Sequence, residues 1–351
     1  MGSPETDSSN SSKGPVSGPS AKSSSQATTK GQFAIDGMTE VENLIRSKLG
    51  SDAERITEIA SYLLDLGGKR IRPLITLLSG AAFGMTPPTS SILEVAAGIE
   101  LIHMATLLHD DIIDKSQLRR HKTSPFARFG PDDTLLTGDF LLTRAFSLCA
   151  HLDKFIIERT EFACIALTEG EILEVPLHKK KHSIESSTVI ARKKTAALFR
   201  LACECGAHLA GAGKEATEAF GFFGEELGIA FQILDDILDV TSTAEILGKP
   251  PGIDLIERKP SLINVLWLNS GDSLSAMLLK NPDETPSDFA SRAISAINSS
   301  PVLAEARAEA RKRAESGMIS FNKAIALAPR IDKTAVENMR ALVEYSLNRL
   351  S

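Results

Sequence analysis

Two clusters of aspartates with the spacing D-D-x-x-D are the residues of this sequence best suited to chemistry. They consist of Asp110, Asp111 and Asp114, and of Asp235, Asp236 and Asp239. On a helix, the first and last aspartates of such a cluster share one face, because residues four apart are neighbours. Carboxylates this close repel each other, and at the C-terminal end of a helix they also oppose its dipole. Each cluster therefore predicts a site for a hard divalent cation with oxygen ligands.

The repetition of the cluster is more informative than either copy. A single acidic cluster is typical of a solvated helix face, whereas here both copies follow buried-looking apolar runs, 125 positions apart (110 to 235). Magnesium (Mg²⁺) suits such sites, since it dehydrates reluctantly and usually binds substrate phosphates together with carboxylates. We expect two helices that face each other across a cavity and hold magnesium from both sides.

Four basic segments accompany the acidic clusters. The segment at 67–73 places two glycines and three cations before a proline, and it could bind a phosphate at a helix start; a solvated basic turn is the alternative. The arginines at 119–120 can hold phosphate oxygens bidentately. Further cations stand at 192–194 and at 249–259. These segments predict several separate contacts to phosphate groups.

The sequence contains no Ser/His/Asp or Cys/His arrangement, so hydrolysis by an activated nucleophile fits it poorly. A substrate with a diphosphate leaving group fits better. Metal ions and cationic side chains would stabilise the charge that develops as the C–O bond breaks, leaving a carbocation in an apolar cavity. The predicted chemistry is metal-dependent ionisation.

The elements that must position these groups are helices. Apolar residues recur at helical spacing from Met38 onward, and strand-like alternation is hard to find. We predict an all-α, single-domain bundle of ten or more helices around a central cavity, spanning 36–351. Residues 1–35 are rich in Ser, Gly, Thr and Lys, and this composition predicts a disordered tail.

Composition places the chain among ordinary soluble globular proteins. Of its 351 residues, 42% are hydrophobic and 24% charged, and the formal net charge of −6 argues against a nucleic-acid surface. No apolar run looks as long as the ~18 residues that span a bilayer, so we expect no transmembrane segment. Four cysteines without a C-x-x-C pair indicate reduced thiols in an intracellular protein, and the N-terminal composition favours the cytoplasm over mitochondria.

Five motifs occur in one order along the chain: G-G-K-R-I-R-P, D-D-I-I-D with a following R-R, K-T, F-Q-I-L-D-D-I-L-D, and G-K-P-P-G-I-D. With them the sequence resembles a trans-isoprenyl diphosphate synthase of the polyprenyl synthetase family, from residue 67 to about 261. The resemblance implies the all-α isoprenoid synthase fold, Mg²⁺ as cofactor and a homodimer, with a heteromer as the alternative. It implies that isopentenyl diphosphate is joined head to tail to an allylic diphosphate.

The resemblance also implies roles for individual residues. Isopentenyl diphosphate would be held by Lys69, Arg72, His103 and Arg120. Magnesium on the allylic diphosphate would be bound by Asp110, Asp114 and Asp235, supported by Asp111, Asp236 and Asp239. That diphosphate would be clamped by Arg119, Lys194, Thr195, Gln232, Lys249 and Lys259. The residues expected to act in catalysis are Asp110, Asp114, Asp235, Lys194 and Lys249. Ionisation would give an allylic cation, which the isopentenyl double bond attacks before a proton is lost.

Product length depends on the residues just before the first motif. Family members with short products often carry an aromatic residue five positions before it, whereas this chain has Ala105 there, followed by Thr106. A helix of twenty-odd residues could wall a tunnel on the order of 30 Å at ~1.5 Å per residue. The residues around the motif also resemble those of family members that make quinone side chains, so we expect a long product.

Two loops depart from the family pattern, and three alternatives remain open. His121 and Arg258 stand where the pattern has glycine, and Pro260 follows Lys259. The alternatives are a terpene cyclase on the same scaffold, a geranylgeranyl diphosphate synthase, and a non-catalytic subunit of a heteromeric synthase. The intact basic segment at 67–73 argues against the cyclase, and the two complete aspartate motifs argue against the inactive subunit.

Overall fold

The computed structural model describes Gly2, residues 36–248 and residues 250–348. The predicted tail at 1–35 lies outside the described residues apart from Gly2, and so does Lys249. The described chain is built from helices, which confirms the predicted all-α class. In chain order they are α1 (Met38–Lys48), α2 (Glu54–Asp65), α3 (Ile71–Ala82), α4 (Ser90–Ile113), α5 (Pro125–Phe129), α6 (Pro131–Cys149), α7 (Lys154–Leu173), α8 (Ile184–Ala191), α9 (Ala197–Leu209), α10 (Lys214–Thr241), α11 (Ala244–Leu247), α12 (Ile253–Ile256), α13 (Leu262–Asn269), α14 (Phe289–Asn298), α15 (Val302–Ala326) and α16 (Lys333–Asn348).

Short elements complete the described chain. A π-helical turn, Arg192–Ala196, joins α8 to α9, and 3-10 turns occupy Ser275–Leu279 and Pro282–Glu284. The strands β1 (Leu118–Arg119) and β2 (Lys122–Thr123) pair antiparallel directly after α4. This hairpin turns the chain back immediately beyond the first acidic cluster.

Helix α4 carries the first acidic cluster at its C-terminal end. The helix is apolar along most of its length, and more than half of its residues are buried. It packs against α3, α6 and α9. By length and composition alone this helix could cross a membrane, contrary to the expectation from the sequence. However, 67% of its most apolar window is buried within the protein, as in the core helix of a folded domain.

Helix α10 carries the second cluster and packs closely on α9 and on the π-helical turn before it through three glycines. A Cβ at Gly224 would lie 2.6 Å from the carbonyl oxygen of Phe199, and one at Gly228 would lie 2.5 Å from Cα of Ala196. A Cβ at Gly221 would overlap the Glu204 side chain. Since α9 also packs against α4, the two helices with acidic clusters are held by one common neighbour.

Candidate active site

In the first cluster, one aspartate is fully buried and two keep some accessible surface. The Asp111 carboxylate is fully buried and receives three hydrogen bonds from Arg119, two from Nε at 3.0 Å and one from Nη2 at 2.7 Å. Asp110 and Asp114 are partly exposed, and the Asp114 N–H donates to the carbonyl oxygen of Asp110 at 2.9 Å. Asp111 therefore fastens the following hairpin to α4, while Asp110 and Asp114 remain accessible.

The second cluster has the opposite proportion of buried and accessible aspartates. The buried Asp236 accepts from Gln232 Nε2 at 2.9 Å and from the Leu262 N–H at 3.2 Å. The buried Asp239 accepts from the Asp254 N–H at 3.2 Å, whereas Asp235 is partly exposed. Two aspartates thus hold the segment that follows α10 in place, and one keeps accessible surface.

Burial and neighbouring carboxylates make Asp110 a strong candidate for cation binding. Burial, together with Glu171 and Asp114, raises the pKa of Asp110 to about 7, although Lys194 and Arg119 oppose the shift. Burial also raises the pKa of Asp236 well above its ordinary value, and Asp254 adds to the shift. A carboxylate in such a place is stabilised by any additional positive charge.

The carboxylates of the two clusters fit a metal ion that the protein and a bound ligand would coordinate together. Within 36–248 and 250–348, no three histidine, cysteine or acidic side chains lie close enough to hold an ion by themselves. The accessible aspartates of both clusters nevertheless offer only hard oxygen donors. Magnesium binds in this way, through one or two carboxylates with the remaining positions filled by phosphate oxygens and water. The residues therefore fit a divalent cation held jointly with a diphosphate.

A group of cations lies around His103. Burial lowers the pKa of His103 well below its ordinary value, and four guanidinium groups lower it further; in order of effect they are Arg72, Arg120, Arg119 and Arg70. His103 and Arg72 keep accessible surface although burial dominates their pKa shifts, as expected for groups that line a concave surface. Burial, Arg119 and Arg70 lower the pKa of Arg120 to about 10. Convergence of several guanidinium groups on a neutral imidazole predicts an anion site.

The basic segment at 67–73 reaches this group because glycine leaves room for it. Gly68 has φ 152°, and a Cβ there would lie 3.1 Å from Arg70 Nη1 and 3.2 Å from both terminal nitrogens of Arg120. Three of the residues predicted to hold isopentenyl diphosphate, Arg72, His103 and Arg120, are thereby brought together. Lys69 is exposed in the same segment.

Glu100 is the counter-ion that sequence reasoning missed. Its buried carboxylate accepts from Arg70 Nη1 at 2.8 Å, and Arg70 Nη2 donates to the Leu64 carbonyl oxygen at 3.1 Å. Arg70 adopts φ 50°, in the left-handed region. The available signal was an acidic residue, one of two together with Glu94, within the long apolar stretch of α4. This ion pair lets the cations gather before any anion binds.

Lys194 and Thr195 lie on the π-helical turn, between the two clusters. Lys194 Nζ contacts Glu174 Oε2 at 2.5 Å and Glu171 Oε2 at 2.6 Å. Burial alone would lower the pKa of Lys194, but Glu174, Asp110 and Glu171 outweigh it and raise the pKa above its ordinary value. Thr195 donates to Gln232 Oε1 at 2.5 Å, which links the turn to α10. π-Helical turns frequently occur at functional sites.

The partners of Lys194 come from the end of α7. Neither Glu171 nor Glu174 belongs to one of the five motifs, so the sequence gives no sign of their role. Gly170 makes their approach feasible, since a Cβ there would lie 2.8 Å from Cγ of Lys194. The tertiary packing of α7 on the π-helical turn thus decides where the Lys194 ammonium group is held.

Lys259 connects the two clusters directly. It follows the second cluster in sequence, yet its Nζ donates to Asp114 Oδ2 of the first at 2.9 Å and also contacts Glu257 at 3.0 Å. The two residues are 145 positions apart. Nearby, the His121 N–H donates to the Gly248 carbonyl oxygen at 3.0 Å, so the loops that follow both clusters meet.

The two positions that depart from the family pattern share a backbone conformation. His121 has φ 67° and Arg258 has φ 60°, both in the left-handed region that favours glycine. Arg119, predicted to clamp the allylic diphosphate, has Nε and Nη2 engaged by Asp111. These roles, like the others inferred for individual residues, remain predictions.

The residues expected to set product length differ in exposure. Ala105 is fully buried, whereas Thr106 is partly exposed and donates to the His103 carbonyl oxygen at 2.8 Å. His109 packs on Gly138, where a Cβ would lie 2.2 Å from its Nε2. The glycine at 138 therefore allows α6 to pack closely on α4.

Comparison with known proteins links this geometry to a family. Residues 53–294 match the sequence profile described as Polyprenyl synthetase. The chain is 36% identical over 255 residues to octaprenyl diphosphate synthase of Escherichia coli K12, covering 72% of this chain and 78% of that one. It is 32% identical over 312 residues to heptaprenyl diphosphate synthase component 2 of Bacillus subtilis, covering 84% and 88%.

A solved structure gives the same result for the fold. The polyprenyl synthase of Caulobacter crescentus, complexed with calcium and isoprenyl diphosphate, superposes with a TM-score of 0.82 at 31% identity. The match covers 93% of this chain and 97% of the other. The likeness therefore extends over nearly the whole helical architecture.

Proposed function

Because this chain belongs to the polyprenyl synthetase family, we propose that its two acidic clusters and the surrounding cations form the active site of a long-chain polyprenyl diphosphate synthase. The protein is a prenyltransferase that condenses isopentenyl diphosphate with an allylic diphosphate. The observation that carries the assignment to this site is the contact of Lys259 with Asp114, because it joins both clusters around one place.

Two anion sites follow from the arrangement of charges. Arg72, His103 and Arg120, with Lys69 at the edge, bind isopentenyl diphosphate. Lys194 and Lys259 bind the allylic diphosphate beside Asp110, Asp114 and Asp235. Lys194 is held by Glu171 and Glu174, and Lys259 by Asp114 and Glu257. Both ammonium groups are therefore kept close to the position of the diphosphate.

The reaction balances as an electrophilic alkylation. The allylic C–O bond breaks, and the diphosphate leaves with the electron pair; the isopentenyl double bond then attacks the allylic cation and forms a C–C bond. Loss of a proton from the isopentenyl unit, most simply to the released diphosphate, restores a double bond. Lys194 and Lys259 stabilise the charge on the leaving group.

We propose Mg²⁺ as the divalent cation. The accessible donors are carboxylate oxygens, and the ligand it would share is a diphosphate, the combination in which magnesium commonly binds. Asp110, Asp114 and Asp235 would hold it. When bound, it supplies charge neutralisation as the C–O bond breaks.

The test of the proposed function uses the purified full chain with MgCl₂, labelled isopentenyl diphosphate and farnesyl diphosphate, followed by chromatography of the dephosphorylated products. We expect a labelled ladder that ends at one long polyprenol. A product that stops at twenty carbons would identify a geranylgeranyl diphosphate synthase. Conversion of farnesyl diphosphate without incorporation of label would identify a cyclase, and no conversion would refute independent catalysis.

We further propose that the protein forms a homodimer through an apolar face on α6 and α7. The exposed large apolar side chains there are Leu135, Leu136, Phe146, Ile157, Phe162, Ile165 and Ile172. Those on α7 recur at helical spacing, so they lie on one stripe, and apolar surface of this extent indicates a protein contact. Light scattering should give a particle mass twice that of one chain, and the Phe162→Asp variant should give a smaller particle mass. A single-chain mass for the unmodified protein would favour a heteromer.

We also propose an intracellular location. All four cysteines, Cys149, Cys164, Cys203 and Cys205, are free thiols, and burial raises the pKa of each. Free cysteines are typical of reducing compartments. Fractionation of source cells with an antibody to the protein tests this and separates cytoplasm from mitochondria.

A further inference from the structure

Arg258 occupies an unusual place for an arginine. It lies in the loop between α12 and α13, only 1% of its surface is exposed, and its backbone is left-handed at φ 60°. Side chains with a Cβ disfavour that conformation, so other contacts must hold the residue there. Lys259, the residue that reaches the first acidic cluster, follows it directly.

The Arg258 guanidinium group is fixed by neutral acceptors. Nη1 donates to the carbonyl oxygens of Leu255 and Ile256, the second at 3.2 Å, and Nε donates to the Lys280 carbonyl oxygen at 3.3 Å. Nη2 donates to Thr285 Oγ1 at 2.8 Å, and Cζ lies 4.7 Å from the centre of the Phe289 ring. The side chain thus ties its own loop to the segment at 280–289.

The backbone around Arg258 is fixed as well. Its carbonyl oxygen accepts from the Leu177 N–H at 2.8 Å, and the Lys259 N–H donates to the Asp254 carbonyl oxygen at 2.9 Å. Asn264 Nδ2 donates to the Lys259 carbonyl oxygen at 2.9 Å. Both peptide groups of Lys259 are therefore held, and its side chain leaves the loop toward Asp114.

We propose that Arg258 is a positioning residue that orients Lys259 for the allylic diphosphate. The proposal rests on the proposed function, in which Lys259 binds that diphosphate. Glycine can adopt a left-handed conformation freely, but it cannot connect the loop to 280–289. The planar guanidinium group makes four hydrogen bonds and one ring contact at once, which an ammonium group cannot reproduce.

The experiment measures binding rather than turnover. The probe is farnesyl thiodiphosphate with MgCl₂, which carries the allylic diphosphate but resists ionisation, and its affinity is measured by calorimetry. The variants are Arg258→Met, Lys259→Ala and the double variant. Arg340→Met is the matched control, because Arg340 also stacks on a phenylalanine ring (5.2 Å) and donates to a neutral oxygen, but on α16.

We expect Lys259→Ala to weaken probe binding about tenfold, the usual effect of removing a hydrogen bond to a charged group. Arg258→Met should weaken it in the intact chain and have no further effect in the Lys259→Ala background. If Arg258 had only a structural role, Arg258→Met would instead weaken binding by the same factor in the intact chain and in the Lys259→Ala background. That result, or unchanged affinity of Arg258→Met, would overturn the proposal.

Two further arms keep the test decisive. If Arg258→Met does not fold, Thr285→Val removes only one acceptor, and it should give a smaller loss that also disappears in the Lys259→Ala background. An equal loss in both backgrounds, or none, would again overturn the proposal. If the unmodified protein does not bind the probe, the proposed function is itself refuted, and the role of Arg258 falls with it.

Discussion

The buried ion pair between Arg70 and Glu100 gives a sharp prediction about how the cation group is assembled. Replacement of Glu100 by Gln removes the negative charge but keeps the shape of the side chain and an acceptor oxygen. Arg70 then remains buried near Arg72 and Arg120 without its counter-ion. We expect Glu100→Gln to lower the free energy of unfolding substantially.

The magnitude follows from the geometry. At 2.8 Å the attraction between the two charges amounts to about 6 kcal/mol at an effective dielectric constant of 20. Measured losses for breaking a buried pair are about 3–5 kcal/mol, because the remaining charge stays buried. The glutamine oxygen and the Leu64 carbonyl oxygen can still accept from Arg70, so we expect a loss of about 3 kcal/mol.

Urea unfolding followed by circular dichroism measures this loss, with and without inorganic diphosphate. The diphosphate should stabilise Glu100→Gln more than the unmodified protein, because the site has gained net positive charge. The exposed pair of Arg55 and Glu58, at 3.0 Å, provides the control, and Glu58→Gln should change stability by less than about 1 kcal/mol.

A double variant completes the test. Arg70→Met combined with Glu100→Gln removes both charges, and it should be more stable than Glu100→Gln alone, since no buried charge is left unpaired. The reasoning would be refuted if Glu100→Gln lost less than about 1 kcal/mol, or if the double variant were no more stable than the single one.

Three further predictions concern catalysis, product and pH. Asp110→Asn and Asp235→Asn should each reduce incorporation of labelled isopentenyl diphosphate at least ~100-fold, because each removes charge at the metal. Asp65→Asn, at an exposed position, should leave incorporation unchanged. Activity of the Asp110/Asp235 double variant would disprove the metal assignment. Thr106→Phe should shorten the main product by at least one isoprene unit, as chromatography would show, because Thr106 keeps accessible surface; an unchanged ladder would exclude it from the chain path. Burial and nearby arginines lower the pKa of His103, so the folded state keeps it neutral while the unfolded chain binds a proton below about pH 6.5. The free energy of unfolding should therefore have its full value above that pH and fall below it, by up to about 1.4 kcal/mol per pH unit. In His103→Gln, the free energy of unfolding measured with urea should depend less on pH between about pH 5 and 6.5. An equal pH dependence in the variant and the unmodified protein would contradict the shift in the pKa of His103.

The sequence alone determined the features that depend on local order. Helical periodicity predicted the all-α class, and the spacing of Asp110 and Asp114 placed both on one helix face. The order of the five motifs predicted the family. These features are encoded within a few turns of chain, so they can be read without knowing which distant segments meet.

Only the tertiary structure decided which members of each cluster are accessible. The pattern D-D-x-x-D treats its aspartates alike, but Asp111 is fully buried on Arg119 while Asp110 keeps exposed surface. The partners of the cations were equally hidden. Glu100 and Glu174 carry no motif, and their roles arise because α4 and α7 pack beside the basic segments.

The departures from the family pattern show the same division most clearly. In the sequence, Arg258 is only a residue that stands where the family pattern has glycine. In the folded protein it is the side chain that fixes that loop, through acceptors up to 27 positions away, and Lys259 reaches Asp114 across 145 positions. Such contacts depend on how helices pack and which polar groups burial leaves in need of partners, and no local pattern records them.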